Sequence, residues 1–193
     1  MKYYLISCDK SLEDGVVIDA VPENGPKSYK YGKLLSLSAL MPPKAAIHYS
    51  YNYPSSVKLY DFVENTLDLL IFSEPVKKII EELQSDNMEM LPVIMLDHKE
   101  KEVKGKKYFI FNSWQDIDFF DFQKSTAKMN PMKKEIIFEV KGDVFIKKDK
   151  IPDDIHVFRA KNWPDQYLVS EKFVEEVKKQ NLSGYEFVET FYS

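Results

Sequence analysis

The chain has 193 residues, of which 44% are hydrophobic, and a chain of this size buries about 70% of its unfolded surface on folding. Its 27 basic and 31 acidic residues give a net charge of −4, which excludes a strong overall positive field for nucleic acid or anionic lipid. The only cysteine, Cys8, cannot form an intramolecular disulfide, as is typical of a reducing compartment. The first apolar run stops at Asp9, too early for a signal peptide, and no segment approaches the ~18 apolar residues of a membrane-spanning helix. We therefore expect a cytoplasmic protein with neither a nucleic-acid partner nor a membrane partner.

The first third of the chain predicts one strand followed by loops. Tyr3–Ser7 is aromatic and aliphatic, as strands are. Between residues 13 and 53, glycines and prolines recur too often for a long regular element. We interpret residues 1–193 as a single domain, which divides into a loop- and strand-rich part, 1–66, and a part built from strand–helix–strand units, 67–193.

The first such unit begins with the apolar run Leu67–Phe72, which predicts a strand. Ser73 follows as a natural N-cap for a helix with Pro75 in its first turn. Apolar residues then recur at helical spacing on one face: Val76, Ile79, Ile80 and Leu83. A second strand is predicted at Met88–Leu96, and the charged segment 97–107 is interpreted as a hairpin loop leading into a third strand.

The last third of the chain repeats this plan. An apolar strand leads to Ser170, which caps a second amphipathic helix, and a closing strand follows. Ser73 and Ser170 are 170 − 73 = 97 positions apart, and at this offset Asn87 aligns with Gly184. A duplicated strand–helix–strand unit explains the match. Two independent units are the alternative, because a Ser-capped amphipathic helix after a strand is common.

The segment between the two units is rich in aromatic and acidic residues. We interpret it as a junction between a strand and a helix, with Asp116 and Asp118 in an early helical turn. Two further strands, Glu135–Val140 and Asp143–Lys148, are expected to form a hairpin with a tight turn at Lys141–Gly142. Hairpins outnumber crossovers in this interpretation, so the predicted fold is α+β, a mostly antiparallel sheet with a few amphipathic helices.

No catalytic template fits the chain. The 6 glycines form no phosphate-binding loop between a strand and a helix. The 3 histidines, His48, His98 and His156, lack the spacing that places two metal ligands on one helix face. Cys8 has no local activating base, and no serine lies in a nucleophile-elbow motif. We therefore predict no catalytic residue, no metal and no cofactor.

One segment permits a different interpretation. Asp116, Asp118 and Asp121 lie close to Trp114 and to three phenylalanines, as the acid/base pair of an aromatic sugar-binding cleft does. A hydrolase acting on a carbohydrate or a nucleotide is therefore an alternative function. Caps and a solvated edge over a buried aromatic face are the structural alternative.

Several segments resemble the immunity-protein family of bacterial polymorphic toxin systems, first catalogued as a domain of unknown function. They are FSEPVKKIIEELQSDNMEMLPV, YFIFNSWQDIDFFDFQKS, IHVFRA and YLVSEKFVEEVKKQNLSGYEFV. The resemblance runs from Tyr3 to about Val188 and is best after Leu67. It implies a small cytoplasmic protein, encoded beside a toxin, that binds the toxin domain and blocks it, and it implies no catalytic residues.

An inhibitor of this kind needs rigid aromatic anchors and a surface charge complementary to its target. Tyr49, Tyr51 and Tyr53 alternate in a proline-bounded segment, and on one strand they would share a face. With Trp114, Asp116, Asp118 and Asp121, these tyrosines are the predicted partner-binding residues. A half-buried strand is the alternative for the tyrosines, and a scaffold subunit that self-associates through them is a third function.

Overall fold

The structure, a computed structural model, describes residues 1–27, 36–114 and 117–193. Fourteen strands and two α-helices lie in these residues. The strands are β1 (Tyr3–Cys8), β2 (Val17–Ile18), β3 (Ala46–His48), β4 (Phe62–Asn65), β5 (Leu70–Ser73), β6 (Met88–Leu96), β7 (Tyr108–Ser113), β8 (Thr126–Met129), β9 (Ile137–Lys141), β10 (Phe145–Ile146), β11 (Val157–Ala160), β12 (Trp163–Ser170), β13 (Tyr185–Glu189) and β14 (Phe191–Tyr192). The helices are α1 (Glu74–Leu83) and α2 (Glu171–Lys179). Most strand pairs are antiparallel, so the predicted α+β class is confirmed.

Two main sheets carry the fold. One has six strands in the order β2-β4-β5-β7-β6-β3, and the other has four in the order β11-β12-β1-β13. In each sheet the strands before and after a helix flank a third strand that is antiparallel to both. The two strand–helix–strand units, β5-α1-β6 and β12-α2-β13, therefore share one split β-α-β topology.

The six-stranded sheet closes on itself. Ile18 of β2 bridges Tyr49, which follows β3, although β2 and β3 lie at opposite ends of the strand order. The Ser50 N–H donates to the Val17 carbonyl at 2.8 Å and strengthens this closure. The ring of strands encloses an apolar cluster, the barrel cluster, whose buried members include Ile18, Ile47, Ile71, Leu91 and Ile110. Closure removes the free edges that an open sheet exposes.

Proline is tolerated in β6 because of where the neighbouring strand begins. Pro92 pairs with Phe109 of β7 on one side. On the other side, β3 pairs only from Ile94 onward, where the Ile94 N–H donates to the Ala45 carbonyl at 2.7 Å. Like the nitrogen of Ile94, the nitrogen of Pro92 points to the side of β6 where β3 lies, but β3 does not yet pair with β6 at this position. The missing N–H of Pro92 therefore costs no hydrogen bond between strands.

A central cluster between the two sheets buries one face of each helix. Strand residues alternate between faces: Leu70 and Phe72 contact this cluster, whereas Ile71 points into the barrel cluster. The helices contribute the apolar faces predicted from the sequence, with Val76, Ile79 and Ile80 buried from α1 and Phe173, Val174 and Val177 from α2. The amphipathic pattern of both helices is thereby confirmed.

The outer face of the four-stranded sheet is covered by residues 117–155. Their apolar side chains and those of the sheet form an outer cluster: Tyr3, Ile117, Phe119, Phe120, Ile137, Val144, Ile146, Ile151, Ile155, Phe158, Ala160 and Leu168. Ile117 and Phe120 form bridges with Ala160 and Ile146. The helix predicted after β7 is therefore wrong for residues 117–125, because these bridges and the outer cluster hold residues 117–121 in an extended form and a turn follows at 122–125.

The predicted hairpin between 135–140 and 143–148 is also wrong. β9 pairs with β8, and β10 pairs in parallel with β14. Gly142 does lie at a bend, with φ +72°, but this bend separates the two strands. Ile146 is fully buried in the outer cluster, and the Phe191 and Ser193 N–H groups complete the bonds of β10.

The two units meet at Asp61, a buried residue just before β4. Its carboxylate accepts hydrogen bonds from the Ser73 hydroxyl at 2.8 Å and from the N–H and hydroxyl of Ser183 at 3.1 and 3.0 Å. Ser73 ends β5, and Ser183 leads into β13. One carboxylate therefore joins the beginning of α1 to the connection between α2 and β13. The division of the chain at residue 66 stays a prediction.

Candidate protein-binding surfaces

Residues 49–56 form a compact turn that we call the tyrosine turn. Tyr51 is 61% exposed and Tyr53 is 45% exposed, whereas Tyr49 is only 3% exposed and belongs to the barrel cluster. The three tyrosines do not share one strand face, because β3 ends at His48 and the chain turns after Tyr49. The turn therefore presents two aromatic side chains and uses the third as an internal anchor.

Hydrogen bonds fix the tyrosine turn. The Ser50 hydroxyl donates to the Asp19 carboxylate at 2.5 Å, and the Asn52 side chain donates to the same carboxylate at 3.2 Å. The Tyr53 N–H donates to the Ser50 carbonyl at 3.1 Å, and the Ser56 N–H donates to the Tyr53 carbonyl at 3.0 Å. The backbone beneath the exposed rings is thus ordered in advance, which lowers the entropic cost of binding.

Acidic residues surround Tyr51. Its ring lies 6.3 Å from the ring of His98, and its hydroxyl donates to Glu100 at 3.4 Å. Partial desolvation raises the pKa of Tyr51, and the nearby carboxylates of Glu100 and Asp97 raise this pKa further. The Tyr51 hydroxyl therefore stays protonated and can donate a hydrogen bond at neutral pH.

The predicted aromatic and acidic segment does not form one surface. Trp114 is half-buried and Asp118 is exposed, while Asp116 lies outside the described residues. Asp121 is 7% exposed, and its carboxylate accepts the N–H groups of Gln123 at 2.8 Å and Lys124 at 3.2 Å. The bond from Gln123 is the main cause that holds the pKa of Asp121 below its usual value. A proton-donating acid needs the opposite shift, so this carboxylate stabilises a turn.

The two predicted regions lie at opposite ends of β6. The Trp114 N–H donates to the Asn87 carbonyl at 3.1 Å, just before the strand begins. The Tyr49 N–H donates to the Leu96 carbonyl at 2.9 Å, where the strand ends. The eight steps between Met88 and Leu96 span about 27 Å. The fold does not bring the tyrosines and the acidic segment together.

Two buried residues, Asn112 and Arg159, belong to the sequence segments quoted above for the resemblance and form hydrogen bonds inside the fold. Asn112, fully buried, donates to the Glu89 carboxylate at 2.7 Å, and Glu89 also accepts the Leu37 N–H at 2.5 Å. Desolvation opposes ionisation of Glu89, but these bonds outweigh it and lower the pKa. Arg159, the buried arginine of β11, donates to the Pro164 carbonyl and the Tyr167 hydroxyl. Both side chains therefore act as internal ties.

Sequence reasoning missed one surface, the outer side of β13, which we call the β13 edge. The Asp9 N–H donates to the Gly184 carbonyl, and the Thr190 N–H donates to the Tyr3 carbonyl. Since alternate residues of a strand point the same way, Glu186 and Val188 also bond to β1. The N–H and C=O groups of Tyr185, Phe187 and Glu189 point outward. The sequence predicted this strand, but its place at the end of a sheet follows only from the topology.

The described residues offer no assembled metal site, since no three His, Cys, Asp or Glu side chains converge there. Desolvation raises the pKa of Cys8 to about 12, so its thiol stays protonated at neutral pH. Neither α1 nor α2, the helices within the described ranges, is long and apolar enough to cross a membrane.

These surfaces belong to a protein whose sequence matches a family of immunity proteins. The family model, described as the immunity protein family Imm11, matches residues 40–190, which is 190 − 40 + 1 = 151 of the 193 positions. The chain belongs to the Imm11 family, and the resemblance to an immunity-protein family is confirmed. No curated protein matches the chain.

Proposed function

We propose that this protein neutralises a cognate bacterial toxin domain by binding it directly in the cytoplasm, without catalysing a reaction. The observation that carries this proposal is the family match over residues 40–190, which includes both strand–helix–strand units. Direct occlusion is the simplest way in which a small folded protein blocks an enzyme, because it needs complementarity of shape and charge alone.

The tyrosine turn supplies the aromatic contacts in this proposal. Tyr51 and Tyr53 are exposed on a backbone that hydrogen bonds already fix. Tyrosines of this kind bury a large contact area and retain a hydroxyl for hydrogen bonding, which makes them frequent hot spots of protein interfaces. Tyr49 would act indirectly, since its buried ring anchors the turn.

Carboxylates supply the electrostatic part. Glu100 lies beside Tyr51, and Asp118 is exposed. Together with the net charge of −4, these groups favour a toxin with a basic surface. Association steered by charge is fast at low ionic strength and slows as salt is added. Trp114, Asp116 and Asp121 stay predicted partner-binding residues.

The first experiment is co-expression with the C-terminal domain of the polypeptide encoded immediately upstream, scored by host growth and co-purification. Rescue of growth with a stable stoichiometric complex is the expected result. Growth arrest with no complex would overturn the proposal for this pair. Light scattering of the free protein tests the scaffold alternative, which requires a size that rises with concentration.

A matched pair of variants then tests the tyrosine turn. The double variant Tyr51→Ala/Tyr53→Ala removes both exposed rings, and we expect the dissociation constant to rise about tenfold or more. Met132→Ala is the control, because Met132 is 94% exposed and lies far along the chain, between β8 and β9. Equal losses in both variants would contradict a specific role for the tyrosines.

A further inference from the structure

The four-stranded sheet has two ends, and residues of the described ranges cover one of them, β11. At β11 the side-chain oxygen of Gln84 accepts the N–H groups of His156 at 2.8 Å and Val157 at 3.0 Å. Ile117 bridges Ala160 at the other end of the same strand. The β13 edge has no such cover from a described residue, since β13 pairs with β1 alone. An open strand edge is a template for a strand of another chain.

We propose that the β13 edge binds a short strand of the toxin, which extends the four-stranded sheet by one strand. This inference rests on the proposed function and names a place where the toxin is held. The mode of recognition is strand addition, in which backbone hydrogen bonds give affinity and alternate side chains give specificity.

The length of the open edge limits the added strand. At one end the Phe62 N–H donates to the Ser183 carbonyl at 3.0 Å, and at the other the Phe191 N–H donates to the Val144 carbonyl at 2.8 Å. The Ser183 carbonyl and the Phe191 N–H point to the same side as the β13 edge, so these two bonds mark where the edge is already occupied. The window between them runs from Tyr185 to Glu189, five residues or about 16 Å. A strand of three to five residues therefore fits.

The side chains of β13 define the chemistry of that strand. Glu186 is exposed, and no ion pair with a described residue neutralises it, whereas Glu189 is paired with Lys2 at 2.6 Å. Val188 is 48% exposed on the same face as Glu186. Phe187 is half-buried on the helix face, against Phe173. The complementary strand carries a basic side chain opposite Glu186 and an apolar one beside Phe187.

Proline at position 189 tests the backbone contact. The Glu189 N–H points away from β1, so Glu189→Pro removes an outward donor and keeps the ladder to β1. Glu189→Ala is the matched control, because it also removes the ion pair with Lys2 but keeps the N–H. We expect Glu189→Pro to weaken binding of the purified upstream-encoded toxin domain about tenfold or more relative to Glu189→Ala. Equal affinity of the two folded variants would overturn the inference.

Charge reversal gives a second test that does not depend on a proline. Glu186→Lys should slow association with the same toxin domain about tenfold at low salt, and Glu186→Gln should slow it less. If the wild-type protein forms the complex and Glu186→Lys binds equally fast, strand addition is overturned while immunity by binding stands. If the wild-type protein forms no complex, the proposed function itself fails. Loss of binding in the edge variants with intact folding supports the inference.

Discussion

The two strand–helix–strand units have the same order of elements and the same split topology, but their last strands differ. β6 has nine residues and lies between β7 and β3 in a sheet that closes on itself. β13 has five residues and ends the four-stranded sheet. The last strand of the first unit is therefore paired on both sides, whereas in the part of the chain that the structure describes the last strand of the second is paired on one side only, because a distant segment, β3, pairs with β6.

The helix N-termini also differ. Ser170 caps α2, since its hydroxyl oxygen accepts the Phe173 N–H at 3.3 Å. Ser73 has the same position before α1, but its hydroxyl donates to Asp61 and makes no cap bond. Ser73 is therefore part of the junction between the units. The same strand–serine–helix pattern thus gives a helix cap at Ser170 and a contact between the units at Ser73.

The largest expected effect concerns the turn after each helix, where Asn87 and Gly184 align. Both have a left-handed backbone, with φ +60° and +91°. A Cβ at Gly184 would collide with the Phe62 carbonyl oxygen and would lie 2.6 Å from the Tyr60 Cβ. We expect Gly184→Ala to lower the free energy of unfolding by about 3–5 kcal/mol, from overpacking and backbone strain together. Urea unfolding measures it.

A control separates packing from backbone strain. Gly105 also has a positive φ, +99°, but a Cβ there meets nothing within 4 Å. Gly105→Ala should therefore cost only about 1–2 kcal/mol, the strain alone. If both variants lose the same free energy of unfolding, the close contact of Phe62 and Tyr60 with Gly184 does not contribute to the loss.

The next largest effect tests the junction at Asp61. Asp61→Ala removes the acceptor of three hydrogen bonds and leaves the buried Ser73 hydroxyl and the Ser183 N–H unpaired. We expect a loss of about 2–4 kcal/mol in the free energy of unfolding. Asp118→Ala, an exposed carboxylate, is the control and should change stability by about 0.5 kcal/mol or less. A similar loss in both variants would contradict the role of Asp61 as a tie between units.

Local sequence patterns were enough to predict the two units. The helices follow from apolar spacing and from the capping positions Ser73 and Ser170, and β6 follows from an apolar run with the bounds Met88–Leu96. These features depend on neighbours within a few positions. The exposure of Tyr51 and Tyr53 was also within reach, because a proline follows in the same turn.

The rest depends on contacts between distant segments, which periodicity does not encode. The sequence 135–148 has the pattern of a hairpin, but β8 and β14 supply better partners for its two strands. Tyr49 and Tyr51 are the same residue type two positions apart, but Tyr49 bridges Ile18 and is buried in the barrel cluster, whereas Tyr51 is exposed. The open side of β13 is likewise a property of strand order, so no residue type marks it.

A smaller effect concerns the coupling of the two serines to Asp61. Ser73→Ala and Ser170→Ala should each cost about 1–2 kcal/mol, through a lost buried hydrogen bond or a lost cap. Combined with Asp61→Ala, only Ser73→Ala should be non-additive, with a coupling energy of about 1 kcal/mol, because only Ser73 bonds to Asp61. Double-mutant cycles in urea measure this, and equal coupling for both serines would contradict the difference between the units.

The smallest effect is a pH dependence that comes from a histidine beside the N-cap of α2. His156 is 4% exposed, and its Nδ1 lies 2.8 Å from the Ser170 hydroxyl. Desolvation is the main cause that lowers the pKa of His156, and Lys172 adds to it while Asp154 opposes it. As the pH falls below the unfolded histidine pKa of about 6.5, His156 therefore takes up a proton in the unfolded chain before it does so in the folded protein.

Stability should consequently fall as the pH decreases through about 6.5 toward the lowered pKa of the folded protein, and this loss should end below that pKa. His156→Gln keeps a polar side chain beside Ser170 but cannot titrate. Its free energy of unfolding should therefore change less than that of the wild type between about pH 7.5 and 5.5. Urea titrations at three pH values in this range measure the difference. If the free energy of unfolding depends on pH equally in both proteins, the His156 ring has the same pKa in the folded and unfolded states, and its burial beside Ser170 does not affect its protonation.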